Sequence, residues 1–329
     1  MTMNDKISKL STESYRGVRD FYPEDMAVQN YIFSTWKKVC ESTEPPYQEY
    51  ATSLLEPAEL YRSKGNDEIV NEQMFTFKDR GDREVALRPE MTPSLARLVA
   101  ARRKSLKFPL RWYTIANCFR YERPQRGRKR EHWQLNADIM GIAGVEAEVE
   151  IISLAYKIMR AFGAKDEDFQ IRINDRRRFS EAIDATGGAS DSTLRAVVRT
   201  IDSWDKMDSP KQELIKDLGD EKAEQFLNYL EKNASSKTIN TLVQLLNSKG
   251  VTNIVIDPKI ARGFDYYTGM VFEVFDTHVD NRRSLFGGGR YDNLLEMFGV
   301  DPVPTVGFGM GDITIRDFLE THNLPLSSK

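Results

Sequence analysis

The sequence predicts an α+β fold in which helices surround an antiparallel sheet. Three observations carry that prediction. Two strand–loop–strand segments follow one another at 75–87 and 110–141, and strand patterns return after residue 250. The helices between them do not alternate with single strands as a doubly wound parallel sheet requires.

In chain order, residues 1–14 read as a polar leader. From Val28 to Cys40, Tyr31, Ile32, Trp36 and Val39 recur at helical spacing, and Pro45-Pro46 stops the helix. Glu56 to Lys64 reads as a short helix ending at Gly65. Phe75 and Phe77, then Val85 and Leu87, alternate with polar neighbours around the turn residues Asp79-Arg80-Gly81-Asp82, which is hairpin chemistry. A helix entered through Thr92 and Pro93 runs to Lys104. The segment 110–141 repeats the hairpin form with a longer, very polar loop. A helix over Glu146–Phe162 and a strand over Phe169–Ile173 follow.

Residues 176–250 are charged and helical by periodicity, with Leu194, Val197, Val198 and Ile201 on one stripe and Phe226, Leu227 and Leu230 on another. They read as a helical insertion dividing one domain into the parts 15–175 and 251–322. Strands are expected again at 253–256 and 264–276, then a Gly-rich bend at Gly287–Gly289 and a short helix over Tyr291–Phe298. A strand over Thr305–Gly309 and a helix over Ile313–Thr321 complete the pattern.

Composition narrows the class. Of 329 residues, 40% are hydrophobic and 29% charged, as in ordinary folded proteins, and the net charge of −3 argues against a uniformly basic nucleic-acid binder. No apolar run reaches the roughly 18–20 residues needed to cross a bilayer, and the N-terminus has no secretory pattern. Cys40 and Cys118 stand alone and make no CxxC, which fits a reducing cytoplasm. His132, His278 and His322 are far apart without partners at zinc-ligand spacing, so no metal site is expected.

The densest chemical signal is Phe119–Gly141. Between Arg120 and Arg130, six of eleven residues are cationic, and five of the six are arginine, whose planar fork suits phosphate. A basic run in a loop is most often just a solvated surface, but this one has apolar strands anchoring both ends. On the returning strand Trp133, Leu135, Ala137 and Ile139 alternate with Gln134, Asn136 and Asp138, which puts Gln134 and Asp138 on one face. The pattern alone leaves two readings open: a polar floor for a small ligand, or an edge strand with one wet face.

These residues resemble motif 2 of class II aminoacyl-tRNA synthetases in its histidyl form. ARGFDYYTGMVFE (Ala261–Glu273) is similar to the signature peptide of histidyl-tRNA synthetases, and GGGRYDNLL (Gly287–Leu295) to the family's glycine turn. YRGVRDFYPEDM and LYRSKGNDEIVNEQMFTFKDRGDREVALRPEMT resemble its N-terminal half. Four such segments in family order, spanning Tyr15 to Leu319, are specific where one would be weak.

The resemblance implies a class II synthetase-like catalytic domain that joins L-histidine to ATP with Mg2+ and passes it to tRNA(His). It implies a homodimer without zinc or a membrane span. It places Glu90 and Thr92 at the histidine α-amino group and Gln134, Tyr266 and Tyr267 around the amino acid. Asp138 would accept from the imidazole, with Tyr267 at its other nitrogen. Arg120 and Arg262 would meet the reacting carboxylate and α-phosphate, and Arg128 and Arg130 the triphosphate or the tRNA end. Gln125, Arg126 and Gly127 would contact the tRNA acceptor.

The chain departs from the family pattern at two points. GFGMGDITIRDFLE puts Thr314 where motif 3 carries an arginine for the ATP tail, and Arg316 falls on another helical face. Thr52-Ser53 stands where motif 1 has Thr-Pro. The stop soon after the last helix leads to the expectation that the following anticodon-binding domain, about 100 residues in the family, is absent. That expectation leaves two explanations, a fragment of a longer synthetase or a paralogue released from tRNA charging. The second raises an alternative, a histidyl-synthetase-like regulatory subunit of ATP phosphoribosyltransferase that binds histidine without charging tRNA. Retention of Arg120, Arg128, Arg262 and RGFDYY favours the enzyme.

Overall fold

The computed structural model describes residues 10–63, 69–204, 207–281 and 283–327. Helix α1 (Pro23–Glu41) starts at a proline, which has no N–H to leave unpaired in the first turn. It buries Ile32, Trp36 and Val39. Strands β1 (Gln48–Glu49) and β2 (Leu55–Pro57), helix α2 (Glu59–Arg62) and the hairpin β3 (Phe75–Lys78) and β4 (Glu84–Leu87) follow. Phe75 stands opposite Leu87 and Phe77 opposite Val85, as the alternation predicts.

The helix expected over Glu56–Lys64 is shorter. Leu55 and Glu56 pair with Leu87 and Ala86 in a three-stranded sheet, so the helix begins only at Glu59, while Lys64 and Gly65 lie outside the described residues. The same holds for residues 1–9 of the polar leader.

Helix α3 (Thr92–Ala101) leads into the two ten-residue strands β5 (Leu110–Phe119) and β6 (Glu131–Met140), paired from Leu110↔Met140 to Phe119↔Glu131. Then come α4 (Glu146–Ala161), β7 (Phe169–Asp175), and five helices, α5 (Arg177–Ala185), α6 (Asp191–Asp202), α7 (Pro210–Leu218), α8 (Asp220–Lys232) and α9 (Lys237–Ser248). Helices α5–α8 bury a cluster of their own around Phe179, Val197, Leu214 and Phe226. Helix α9, inside the 176–250 stretch that composition marks as an insertion, instead packs on α4 with Leu242 and Leu246 in the main core. Charge content does not distinguish these two environments, because both leave one helical face wet.

Strands β8 (Ile254–Ile256), β9 (Met270–Asp276), β10 (Ser284–Arg290) and β11 (Thr305–Gly311) and helix α10 (Asp312–Thr321) complete the order. The large sheet runs β1-β5-β6-β11-β10-β9-β7-β8, antiparallel through its centre with parallel pairs at both edges. Two expectations change here. The strand expected over 264–276 begins at Met270, because Arg262 takes a left-handed φ of 62° and the chain turns through 263–269 before joining the sheet. Gly287–Gly289 are not a bend. They lie mid-strand in β10, buried and paired on both sides, where missing side chains make room rather than flexibility.

Period two decides which face of β6 does what. Leu135, Ala137 and Ile139 join α1, α4, α9 and α10 in the main core. Asn136 and Asp138, both at most 5% exposed, face the opposite side, where Met140 packs with α3 and the tyrosines of 266, 267 and 291.

Candidate active site

The polar row of β6 has space in front of it because its neighbour β11 has only glycines, Gly307, Gly309 and Gly311, opposite that row. Asp138 pairs with Gly307 and Gln134 with Gly311, while Gly309 lies between. A Cβ on Gly307 would sit 1.9 Å from Asp138 Oδ1, and one on Gly309 would sit 2.0 Å from Gln134 Nε2. The Gly-x-Gly-x-Gly pattern of β11 is therefore a close-approach device. In front of it opens a cavity of 230 Å³.

One wall pairs carboxyls with phenols. Tyr291 Oη donates to Asp138 Oδ1, and Tyr266 Oη donates to Glu90 Oε2 at 3.1 Å. Burial pushes Asp138 up to about 7, opposed by the Tyr291 hydrogen bond. Burial likewise raises Glu90 to about 7 against the pull of Arg120 and Tyr266. Tyr267 packs against Tyr266 at 4.9 Å between ring centroids. His132 faces the same space, and desolvation together with Arg120 and Arg19 lowers it to about 3, so the imidazole is neutral.

The other wall is cationic. Arg120, just past the end of β5, donates from Nε to Pro89 O at 2.9 Å. Arg262 reaches in from the turn before β9, holding Glu273 Oε1 at 2.7 Å through Nη1, while its Nε is buried without a partner among the described residues. Desolvation lowers Arg262, but the neighbouring Tyr267 and Glu273 outweigh it and raise its pKa, so the guanidinium stays charged. Its position depends on Gly287, whose Cβ would fall 3.0 Å from Arg262 Nη1. Arg128 reaches Glu122 at 3.2 Å, and Lys129 lines the cavity beside them.

The structure thus gathers Glu90, Thr92, Arg120, Gly127, Arg128, Gln134, Asp138, Arg262, Tyr266 and Tyr267 around one space. Three expected positions fall outside it. Arg130 is 8% exposed, stacks over Tyr121 at 3.7 Å and donates to Tyr15 Oη and Arg16 O. Alternation alone would put Arg130 on the cavity side with His132, but it precedes β6, and its head turns back to the N-terminal segment, where Tyr15 and Arg16 hold it. Arg126 is engaged by Asp317 at 2.9 Å on α10, and Gln125 bridges Arg128 in the loop's own turn. Sequence reasoning missed His132, Asn136 and Tyr291. His132 was legible, because the alternation through Gln134, Asn136 and Asp138 extends back to it. Tyr291 was not, because nothing local says that it reaches Asp138, 153 positions away.

Thr314 lies in the cavity wall and donates to Leu285 O at 2.8 Å. Arg316 points elsewhere, held by Glu320 and by Asp25 of α1, as helical spacing predicts.

A largely antiparallel sheet with arginines over a polar central strand defines the class: a class II aminoacyl-tRNA synthetase-type catalytic domain. The sequence profile of the family described as Histidyl-tRNA synthetase matches residues 17–312. A histidine–tRNA ligase of Leptospira biflexa is 42% identical over 97% of this chain and 76% of its own length. The chain belongs to the histidyl-tRNA synthetase family. Two solved structures share the fold at 23% identity, each with a TM-score of 0.77. One is a histidyl-tRNA synthetase from Nostoc sp. PCC 7120, matched over 97% of this chain and 78% of its own. The other is an ATP phosphoribosyltransferase regulatory subunit/histidyl-tRNA synthetase from Bacillus halodurans, matched over 95% and 84%.

Proposed function

We propose that the cavity activates L-histidine with MgATP to histidyl-adenylate and pyrophosphate, and that the chain then delivers histidine to the 3′ end of tRNA(His). The observation that carries this reading is the convergence of Arg120 and Arg262, from segments far apart in sequence, on the space also lined by Asp138 and Tyr267. Membership of the synthetase family supports it.

The chemistry asks little of acid–base catalysis. The attacking α-carboxylate is already ionised at neutral pH. What it needs is alignment with the α-phosphate, which is worth roughly 7–11 kcal/mol, and cationic groups where charge develops. Arg120 and Arg262 are assigned that task. Glu90 and Thr92 are assigned the α-amino group, and Asp138 with Tyr267 the two imidazole nitrogens. Tyr291 fixes the Asp138 carboxyl by its hydrogen bond. Magnesium enters as part of the MgATP substrate. Among the described residues no cluster of three or more His, Cys, Asp or Glu side chains could hold a metal ion by itself, and Glu122, which lines the cavity, is already engaged by Arg128. A homodimer and a cytoplasmic location belong to the same reading. No helix among the described residues is long and apolar enough to cross a membrane.

Histidine-dependent exchange of pyrophosphate into ATP tests the proposal. Exchange is expected with histidine and with no other standard amino acid. Protein that binds histidine but shows no exchange would be the regulatory type of subunit instead. Salt-sensitive binding of a tRNA(His) acceptor minihelix tests the transfer half, since phosphate contacts weaken as salt rises.

A further inference from the structure

Four cationic side chains line the cavity among the described residues: Arg120, Arg128, Lys129 and Arg262. Three are engaged. Arg120 is bonded to Pro89 O, Arg128 to Glu122, and Arg262 to Glu273. Lys129 is half-buried, and no ion pair or hydrogen bond holds it among the described residues. A strongly hydrated ammonium kept partly out of water without a counter-ion has lost favourable interactions that an arriving anion would restore.

The loop that carries Lys129 is fastened to α10 and to the connection between β9 and β10. Arg126 binds both carboxylate oxygens of Asp317 at 2.9 and 3.1 Å, and donates to Thr321 Oγ1 and Asp280 O. Arg283 in turn donates to Arg126 O at 2.9 Å. The turn at Gly127, with φ of 75°, brings the loop over the start of α10, where a Cβ on Gly127 would contact Thr314 Cγ2 at 3.8 Å. The first turn of α10 contributes only Ile313 and Thr314 to the cavity, neither of them charged.

We infer that Lys129 binds the polyphosphate tail of the nucleotide, and that Asp317 is a positioning residue acting through Arg126 to hold Lys129 over α10. The loop thereby supplies the positive charge that the first turn of α10 lacks. This rests on the reading of the cavity as an ATP site. It goes beyond that reading by assigning a loop lysine and a helix carboxylate to one unit.

Pyrophosphate exchange measured as separate KM values for ATP and histidine tests it. Lys129→Ala is expected to raise the ATP KM about tenfold, the loss of one charge-assisted contact, with the histidine KM unchanged. Lys129→Arg should restore most of that loss. Asp317→Asn should raise the ATP KM, and the double variant with Lys129→Ala should show less than the product of the two single effects. An unchanged ATP KM in Lys129→Ala, an equal rise in both KM values, or strictly multiplicative effects in the double variant would each overturn the inference. Wild-type protein without exchange would instead overturn the proposed function, and this inference with it.

Discussion

Asp138 and Gly307 stand opposite each other on β6 and β11, so close that a single carbon on Gly307 would lie 1.9 Å from the carboxylate oxygen. The glycine is buried at the floor of the cavity, and Ala137 O lies 2.9 Å from the same point, so relief by a side-chain shift alone is blocked. Gly307→Ala is therefore expected to displace Asp138 and raise the histidine KM by tenfold or more, about 1.4 kcal/mol. Its ATP KM should move less. Equal histidine KM values in the two proteins would show that Asp138 is not part of the amino-acid site.

The elevated pKa of Asp138 makes a prediction about pH. In the unfolded chain this carboxyl ionises near 4, but in the fold near 7. The folded state therefore holds more protons on this group between those values, so the stability that this carboxyl contributes is greatest below about 4 and is lost as pH rises through 7. Glu90 adds to the same trend. Asp138→Asn should accordingly raise the melting temperature more at pH 8 than at pH 5. A gain that does not vary with pH would mean that the carboxyl is not titrating in this range.

Tyr291 lowers the Asp138 pKa by donating to the ionised form. Tyr291→Phe should move the pH at which histidine affinity rises upward, because ionised Asp138 is the stronger acceptor for the single N–H of a neutral imidazole. The cost at pH 7 is expected to be about 1 kcal/mol in histidine binding. Calorimetric titration of histidine across pH 6–8 checks it, and coincident profiles for the two proteins would remove Tyr291 from this role.

Arg262→Ala is expected to reduce exchange by about 100-fold or more while leaving most histidine binding, since its assigned task arises at the phosphate. The change leaves Glu273 without its cation, so the variant Arg262→Ala/Glu273→Gln separates lost charge at the site from an unpaired carboxylate. Both should be inactive. Activity in the double variant would mean that Arg262 is structural.

Arg130 should behave in the opposite way. Its stacking on Tyr121 and its hydrogen bonds to residues 15 and 16 tie the N-terminal segment to the sheet. Arg130→Ala should lower stability by about 1–3 kcal/mol in denaturant unfolding with the ATP KM close to wild type. A stable protein with a raised ATP KM would return Arg130 to the nucleotide.

Much of this architecture is local information. The alternation in β6, the hairpin of β3 and β4 and the stripes of α1 and α4 follow from side-chain periods of two and 3.6, which any contiguous stretch displays. Together with the resemblance, they were enough to name ten residues that prove to share a cavity. What lay beyond reach depends on contacts between distant segments. Gly287–Gly289 read as a bend because a glycine run looks the same whether it frees the backbone or clears space for Arg262 and Tyr267. Arg130 and Arg126 read as ligand contacts because a cation in a loop carries no mark of the partner that will claim it. Tyr15, Tyr121 and Asp317 claimed them. The chain alone determined which residue types were present and which face each would take. The tertiary structure decided which charges were neutralised by neighbours and which remained open to a ligand, because an electrostatic interaction depends on distance through space and not on separation along the chain.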